Sequence, residues 1–287
     1  MTGPAVKRSP TDPPVLELTG VSKAFGGVIA IQDVSVAVRA AEVTCFLGDN
    51  GAGKSTLIKL MSGVYQPSSG AIAVDGRRAA LSSPRVAQAL GISTVHQDDG
   101  NLPLMSVTRN FFLGREPTKG WGPTRRIDTT KAAQIAMREI AAMGVTRVTD
   151  PTLPVGALSG GERQALAISR ALHFGARVLI LDEPTSALGV REASVVLRLI
   201  QQAKSRGIAV VFITHNAHHA MSVGDRFTVL IQGRVAEQFR RGERSREELL
   251  NLMAGGRELE SLQLALDEMH EAEQLSASRS LSPEGRS

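Results

Sequence analysis

The chain has 287 residues, 42% of them hydrophobic and 21% charged, with a formal net charge of +5. That balance excludes a disordered or fibrous protein and suits one or two globular domains. Eight Phe, one Trp and one Tyr leave too few rings for base-stacking platforms, and the single cysteine, Cys45, excludes an internal disulfide framework or a multi-cysteine metal site.

Residues 1–14 are polar and Pro-rich, without a secretory pattern, and are expected to be a disordered extension. No apolar run approaches the ~20 residues that a bilayer span requires, so a cytoplasmic protein is expected. From residue 15 to about 100 strand-like runs alternate with turn signals: Val15–Leu18, Val34–Val38, Val43–Leu47, Ala71–Val74 and Ile92–Val95. Cys45 lies inside the third run, where a buried structural thiol is expected. Residues 101–175 read as helical, with apolar side chains at helical spacing over Thr129–Met143 and breaks at Pro151 and Pro154. Short apolar runs then return at Val178–Leu181, Ala209–Ile213 and Phe227–Ile231. Runs apolar on both faces suit central strands of a covered, mostly parallel sheet, so the fold class is α/β with an inserted helical subdomain.

Residues 256–287 hold seven acids and three bases, a net of −4, so the remainder carries +9. Its bases are scattered in pairs (Lys7-Arg8, Arg77-Arg78, Arg125-Arg126, Arg240-Arg241), which reads as a solvated surface and not a polyanion groove. Leu259, Leu262, Leu266 and Met269 predict a short amphipathic helix in the acidic segment, followed by a disordered end.

Two runs carry chemistry on their own. Gly48-Asp49-Asn50-Gly51-Ala52-Gly53-Lys54-Ser55-Thr56 fits G-x-x-x-x-G-K-[ST] between an apolar strand and an amphipathic helix over Ser55–Ser62. Glycines let the backbone curl around phosphates with its N–H groups inward, and the helix presents its positive end to the same anion. Lys54 would reach the β- and γ-phosphates and the Ser55 hydroxyl would ligate Mg²⁺, which makes this a nucleoside-triphosphate site. The second run, Val178–Leu181, ends in Asp182-Glu183, at the strand edge where open α/β sheets bind ligands. Asp182 would hold Mg²⁺, and Glu183, on the opposite side of the strand by its period of two, would polarise an attacking water.

Between them lies Leu158-Ser159-Gly160-Gly161-Glu162-Arg163-Gln164, which resembles the signature of the nucleotide-binding subunit of ABC transporters. The resemblance runs from about Val15 to Gly255, with the motifs in the expected order. It implies a P-loop NTPase of the ABC type: a mixed or parallel sheet core, an N-terminal antiparallel β subdomain and a helical subdomain at about 101–175. It also implies that two copies sandwich two ATP molecules, with Ser159, Gly160, Gly161 and Glu162 of each capping the ATP of the other. Three further positions match the family. Phe25 matches the aromatic that stacks on adenine. Gln97 matches the residue that touches Mg²⁺ and the lytic water. His215 matches the switch histidine that contacts the γ-phosphate. His218 and His219 read as surface residues.

One position departs from the pattern. Ser186-Ala187-Leu188-Gly189 has glycine where the family usually has aspartate, in the loop that communicates across the dimer. The runs Phe111–Pro117 and Gly224–Leu230 are similar to importers of monosaccharides such as ribose, xylose or fructose. The resemblance therefore implies an ATP-hydrolysing motor on the inner face of the membrane. Its partners would be integral membrane permease subunits and, indirectly, an extracytoplasmic solute-binding protein, with no nucleic acid. A non-transport cassette acting on ribosomes or DNA, and an importer of another solute, are the competing readings.

Overall fold

A computed structural model describes residues 13–96 and 100–254. The expected acidic helix and tail at 256–287, Gln97 and most of the N-terminal extension lie outside the described residues.

The first two strands, β1 (Leu16–Phe25) and β2 (Val28–Val38), form an antiparallel hairpin, both longer than the apolar runs alone predict. Next, β3 (Val43–Leu47) leaves for a second sheet, and all five of its residues are buried. The glycine-rich loop follows, then α1 (Lys54–Met61), which starts one residue before the expected helix. β4 (Ser69–Val74) and β5 (Arg77–Arg78) return to the hairpin and complete a four-stranded antiparallel sheet in the order β2-β1-β4-β5. The chain re-enters the second sheet through α2 (Pro84–Ala89), capped by Ser83, and β6 (Ile92–Val95).

The stretch read as helical contains α3 (Val107–Phe112), but also a small hairpin of β7 (Thr118–Lys119) and β8 (Arg126–Ile127). Gly120, Gly122 and Pro123 sit between its strands, and three such helix breakers in four residues override any helical pattern there. Two long helices complete the stretch, α4 (Thr129–Ala142), capped by Asp128, and α5 (Gly160–His173), capped by Ser159.

The remaining elements alternate as expected of a parallel sheet: β9 (Val178–Asp182), α6 (Val190–Ser205), β10 (Ala209–Ile213), α7 (Ala217–Val223) and β11 (Arg226–Ile231). β12 (Arg234–Arg240) adds an antiparallel edge, and α8 (Arg246–Met253) ends the described chain. The six-stranded sheet has the order β12-β11-β3-β10-β9-β6 and is parallel except at β12.

Each face of this sheet has its own core, because successive strand residues point to opposite sides. Cys45, Leu179, Leu181, Val210 and Phe212 pack with α3, α4, α5 and α6. Phe46, Val178, Ile180, Val211 and Ile213 pack against α1 and the antiparallel sheet. Cys45 is fully buried and burial pushes its thiol pKa far up, so it behaves as a packing residue. Phe212 sits at the centre of the sheet, opposite Cys45 and Leu181 on its two neighbours. Phe212→Ala is expected to cost about 3–5 kcal/mol, measured as a lowered urea midpoint at unchanged slope.

Candidate functional site

The parallel strands set the site. The glycine-rich loop follows β3, His215 lies just beyond β10, Asp182 ends β9 and His96 follows β6, and these four strands are neighbours in the order β3-β10-β9-β6. All four chain ends therefore converge on the C-terminal edge of one sheet, where α/β folds place ligands.

The loop 48–53 wraps back on itself. The Ala52 N–H donates to the Asp49 carbonyl at 3.1 Å, and the Asn50 N–H donates to the Asp49 carboxylate at 2.7 Å. Gly53 closes the loop with φ of 99°, a left-handed conformation that L side chains rarely adopt, and a Cβ there would lie 2.9 Å from the Ala30 carbonyl. At Gly48 a Cβ would run into the Leu230 carbonyl. Lys54 is buried, and its ammonium donates to the carbonyls of Gly48 (2.7 Å) and Asp49 (3.0 Å), spanning the loop. Ser55 is exposed and Thr56 half-buried in the first turn of α1. Loop, ammonium and helix N-terminus thus lie together, an arrangement of donors suited to an anion.

Across the sheet edge, Oε1 of Glu183 lies 3.0 Å from Nδ1 of His215, while Oε2 is buried without a hydrogen-bond partner. His215 is largely exposed, so this pair has one face in the protein and one in solvent. Asp182 stands 3.9 Å from Nδ1 of His96. One expectation is corrected here. Glu183 does not continue the alternation of β9, because the strand ends at Asp182 and Glu183 turns to φ of 47°. Its N–H donates to the Ile213 carbonyl at 3.0 Å and its carbonyl accepts from Ser186, so it starts a turn. A non-glycine residue held in that region marks a position that the surroundings over-determine.

The donor set fits a nucleoside triphosphate with Mg²⁺. Ser55 and Asp182 offer hard oxygen ligands, and one carboxylate oxygen of Glu183 is buried without a hydrogen-bond partner. Among the described residues no cluster of three or more His, Cys, Asp or Glu builds a dedicated metal cage, the usual situation where phosphates supply part of the shell.

Ser159, Gly160, Gly161 and Glu162 form the first turn of α5. Ser159 and Glu162 make a reciprocal capping box, with the Ser159 N–H donating to Glu162 at 2.9 Å. The Gly160 N–H donates to the Glu192 carboxylate of α6 at 3.1 Å. The adjacent cavity, of about 450 Å³, is walled by Arg147, Ser159, Glu162, Arg191 and Arg198 and includes no residue of the 48–56 loop. The two anion-binding elements of the sequence are thus built at separate places.

Phe25 ends β1 and is 42% exposed. Its ring meets the edge of Tyr65 at 5.0 Å, and Lys23 Nζ lies 5.1 Å from its centre.

Sequence reasoning missed Tyr65 and Glu192, whose partners lie far along the chain, and it misplaced His219. That residue is half-buried, with Nδ1 3.0 Å from the hydroxyl of buried Thr185, so it ties α7 to the turn after Glu183. Burial, then the neighbouring His218 and His215, lowers its pKa below the ordinary histidine value. The unfolded chain therefore takes the proton more readily, and the stability that neutral His219 contributes is present above about pH 6.5 and lost as the pH falls below it. His219→Gln is expected to flatten the fall in melting temperature between about pH 7 and pH 5, read by thermal denaturation at a pH series.

Comparison with known proteins gives this geometry a context. The sequence profile described as ABC transporter matches residues 31–186. The chain is 42% identical over 242 residues to the ribose import ATP-binding protein RbsA of Corynebacterium glutamicum, covering 84% of this chain and 45% of that protein. It is 38% identical to the xylose/arabinose import ATP-binding protein XylG of Sulfolobus acidocaldarius, covering 83% of this chain and 93% of that one. Like the first of these, several of the curated relatives are about twice as long as the part this chain spans. In fold it is similar to the ADP conformation of MJ1267, an ATP-binding cassette of an ABC transporter, with a TM-score of 0.70 at 24% identity over 86% of this chain and 97% of that one. It is also similar to the dimeric structure of MJ0796, a bacterial ABC transporter cassette, with a TM-score of 0.65 at 22% identity over 78% of this chain and 98% of that one. The profile covers more than half of the chain and the XylG relative is matched over nearly its whole length, so the chain belongs to the ABC transporter family.

Proposed function

We propose that this chain is the ATP-hydrolysing motor of an importer, with a monosaccharide as the transported solute. The observation that carries the enzymatic part is the Glu183–His215 pair, two strands and one strand away from the loop that ends in Lys54. Residues 48–56 would hold the phosphates, with Lys54 moving from the loop carbonyls to the β- and γ-oxygens. Phe25, braced by Tyr65, would stack on the adenine. Ser55 and Asp182 would hold Mg²⁺, joined by Gln97 on the family pattern, and the ion would neutralise charge on the phosphates when bound. Glu183 would accept a hydrogen bond from the attacking water through its free oxygen, with His215 fixing the carboxylate and facing the γ-phosphate.

The separation of the 48–56 loop from the first turn of α5 supports a second copy. Ser159, Gly160 and Gly161 of one chain would cap ATP held by the other, and Glu162 would keep that turn ordered. On this reading residues 15–255 are the ATP-binding unit, with its helical part at about 101–175. The unit would work on the inner face of the membrane against integral permease subunits, which an extracytoplasmic solute-binding protein loads. The monosaccharide assignment draws on the names of the ribose and xylose/arabinose relatives and on the runs Phe111–Pro117 and Gly224–Leu230. Among the described residues no helix is long and apolar enough to cross a membrane, which suits a subunit that relies on a separate permease.

Glu183→Gln is expected to keep ATP binding, to lower turnover by about a hundredfold or more, and to accumulate an ATP-bound dimer. Phosphate release and size-exclusion chromatography with ATP read these outcomes. Turnover within a few-fold of the parent would remove Glu183 from its role.

A further inference from the structure

The single tryptophan of the chain is not in either core. Trp121 is 89% exposed at the tip of the β7–β8 hairpin. An exposed indole on a loose loop would carry little meaning, but this hairpin is fastened at both ends. At the tip, the Thr124 hydroxyl donates to the Trp121 carbonyl at 2.8 Å and accepts from the Trp121 N–H at 3.3 Å. Along the side, Arg125 Nε donates to the Thr118 hydroxyl at 2.9 Å. At the base, the Asp128 N–H donates to the Pro117 carbonyl at 2.7 Å, and its carboxylate caps α4 and pairs with Lys119 at 3.5 Å. The Lys131 N–H, and then Lys119, lower the Asp128 pKa, so this anchor stays ionised.

The charge of the hairpin has one sign. Residues 117–127 contain Lys119, Arg125 and Arg126 and no acid. Lys119 is spent on Asp128, whereas neither arginine pairs with a carboxylate among the described residues. Ile127, half-exposed on β8, pairs with Thr118 at the base of the hairpin, away from the indole. An exposed indole at a hydrogen-bonded tip and two guanidiniums without carboxylate partners form a combination suited to a bilayer interface. The ring takes the headgroup level, and the cations meet anionic lipid.

We propose that the 117–127 hairpin docks on an anionic membrane surface through Trp121, Arg125 and Arg126. This rests on the reading of the chain as a motor that works at a membrane, and adds a contact made with lipid and not with a permease.

Because Trp121 is the only tryptophan, its emission reports on this tip alone. The full chain is titrated with vesicles of phosphatidylcholine, and with vesicles of phosphatidylcholine and phosphatidylglycerol, at low and high salt. The expected result is a blue shift with the anionic vesicles that salt reverses. Arg125→Ala with Arg126→Ala should weaken the partition by about twenty-five-fold, roughly fivefold for each basic group. Trp121→Ala should abolish co-sedimentation with anionic vesicles while leaving soluble ATP hydrolysis unchanged. No shift with anionic vesicles overturns the proposal. A shift that requires permease-containing vesicles and is absent with lipid alone also overturns it, and assigns the tip to a protein partner. A wild-type chain without ATPase activity would instead overturn the motor reading and leave the vesicle result standing.

Discussion

The parallel pairing of β3 with β10, and of β10 with β9, is the constraint on which the site depends. Adjacent strands stand about 4.8 Å apart, so β9 runs roughly 10 Å from β3 at the sheet edge. That interval separates the 48–56 loop from Glu183, with His215 just beyond the intervening strand. The ladder is protected because both faces of these strands are covered by cores, and residues such as Val211 and Phe212 belong to opposite ones. A register slip of one residue in any of these strands would turn its side chains to the opposite core and shift its end of the site out of line with the others.

The ends of these strands are shaped by backbone hydrogen bonds more than by side chains. The Thr214 N–H donates to the Phe46 carbonyl and the Glu183 N–H to the Ile213 carbonyl, so each strand fixes the exit direction of its neighbour. His219 extends the same logic into α7 through Thr185. A displacement of the turn after Glu183 therefore disturbs the helix that follows His215, because Thr185 and His219 are joined.

Much of this was legible in the sequence because the informative patterns are local. The glycine spacing of residues 48–53, the uninterrupted apolar runs at β3, β9 and β10, and the Ser159 cap followed by Glu162 each depend on neighbours within a few residues. The hidden features depend on distance. The left-handed turn at Glu183 follows from a bond to Ile213, thirty residues on. The ring that braces Phe25 belongs to Tyr65, and the partner of His219 lies two elements earlier. The hairpin at 117–127 was a different failure: its glycines and proline were local signals, masked by the helices on both sides.

Gly189 shows how a missing side chain redistributes contacts. It stands at the N-cap of α6 with no side-chain cap, where the aspartate usual in the family would accept a first-turn N–H. Glycine there costs only a few tenths of a kcal/mol, so the helix forms regardless. The carboxylate nearest this end of α6 is Glu192, and it points away from its own helix to the Gly160 N–H of α5. Leu188 packs so closely beside Gly160 that a Cβ there would collide with its side chain. The first turns of α6 and α5 are thus joined by a charged hydrogen bond, and Leu188, just before α6, adds an apolar contact within the same chain.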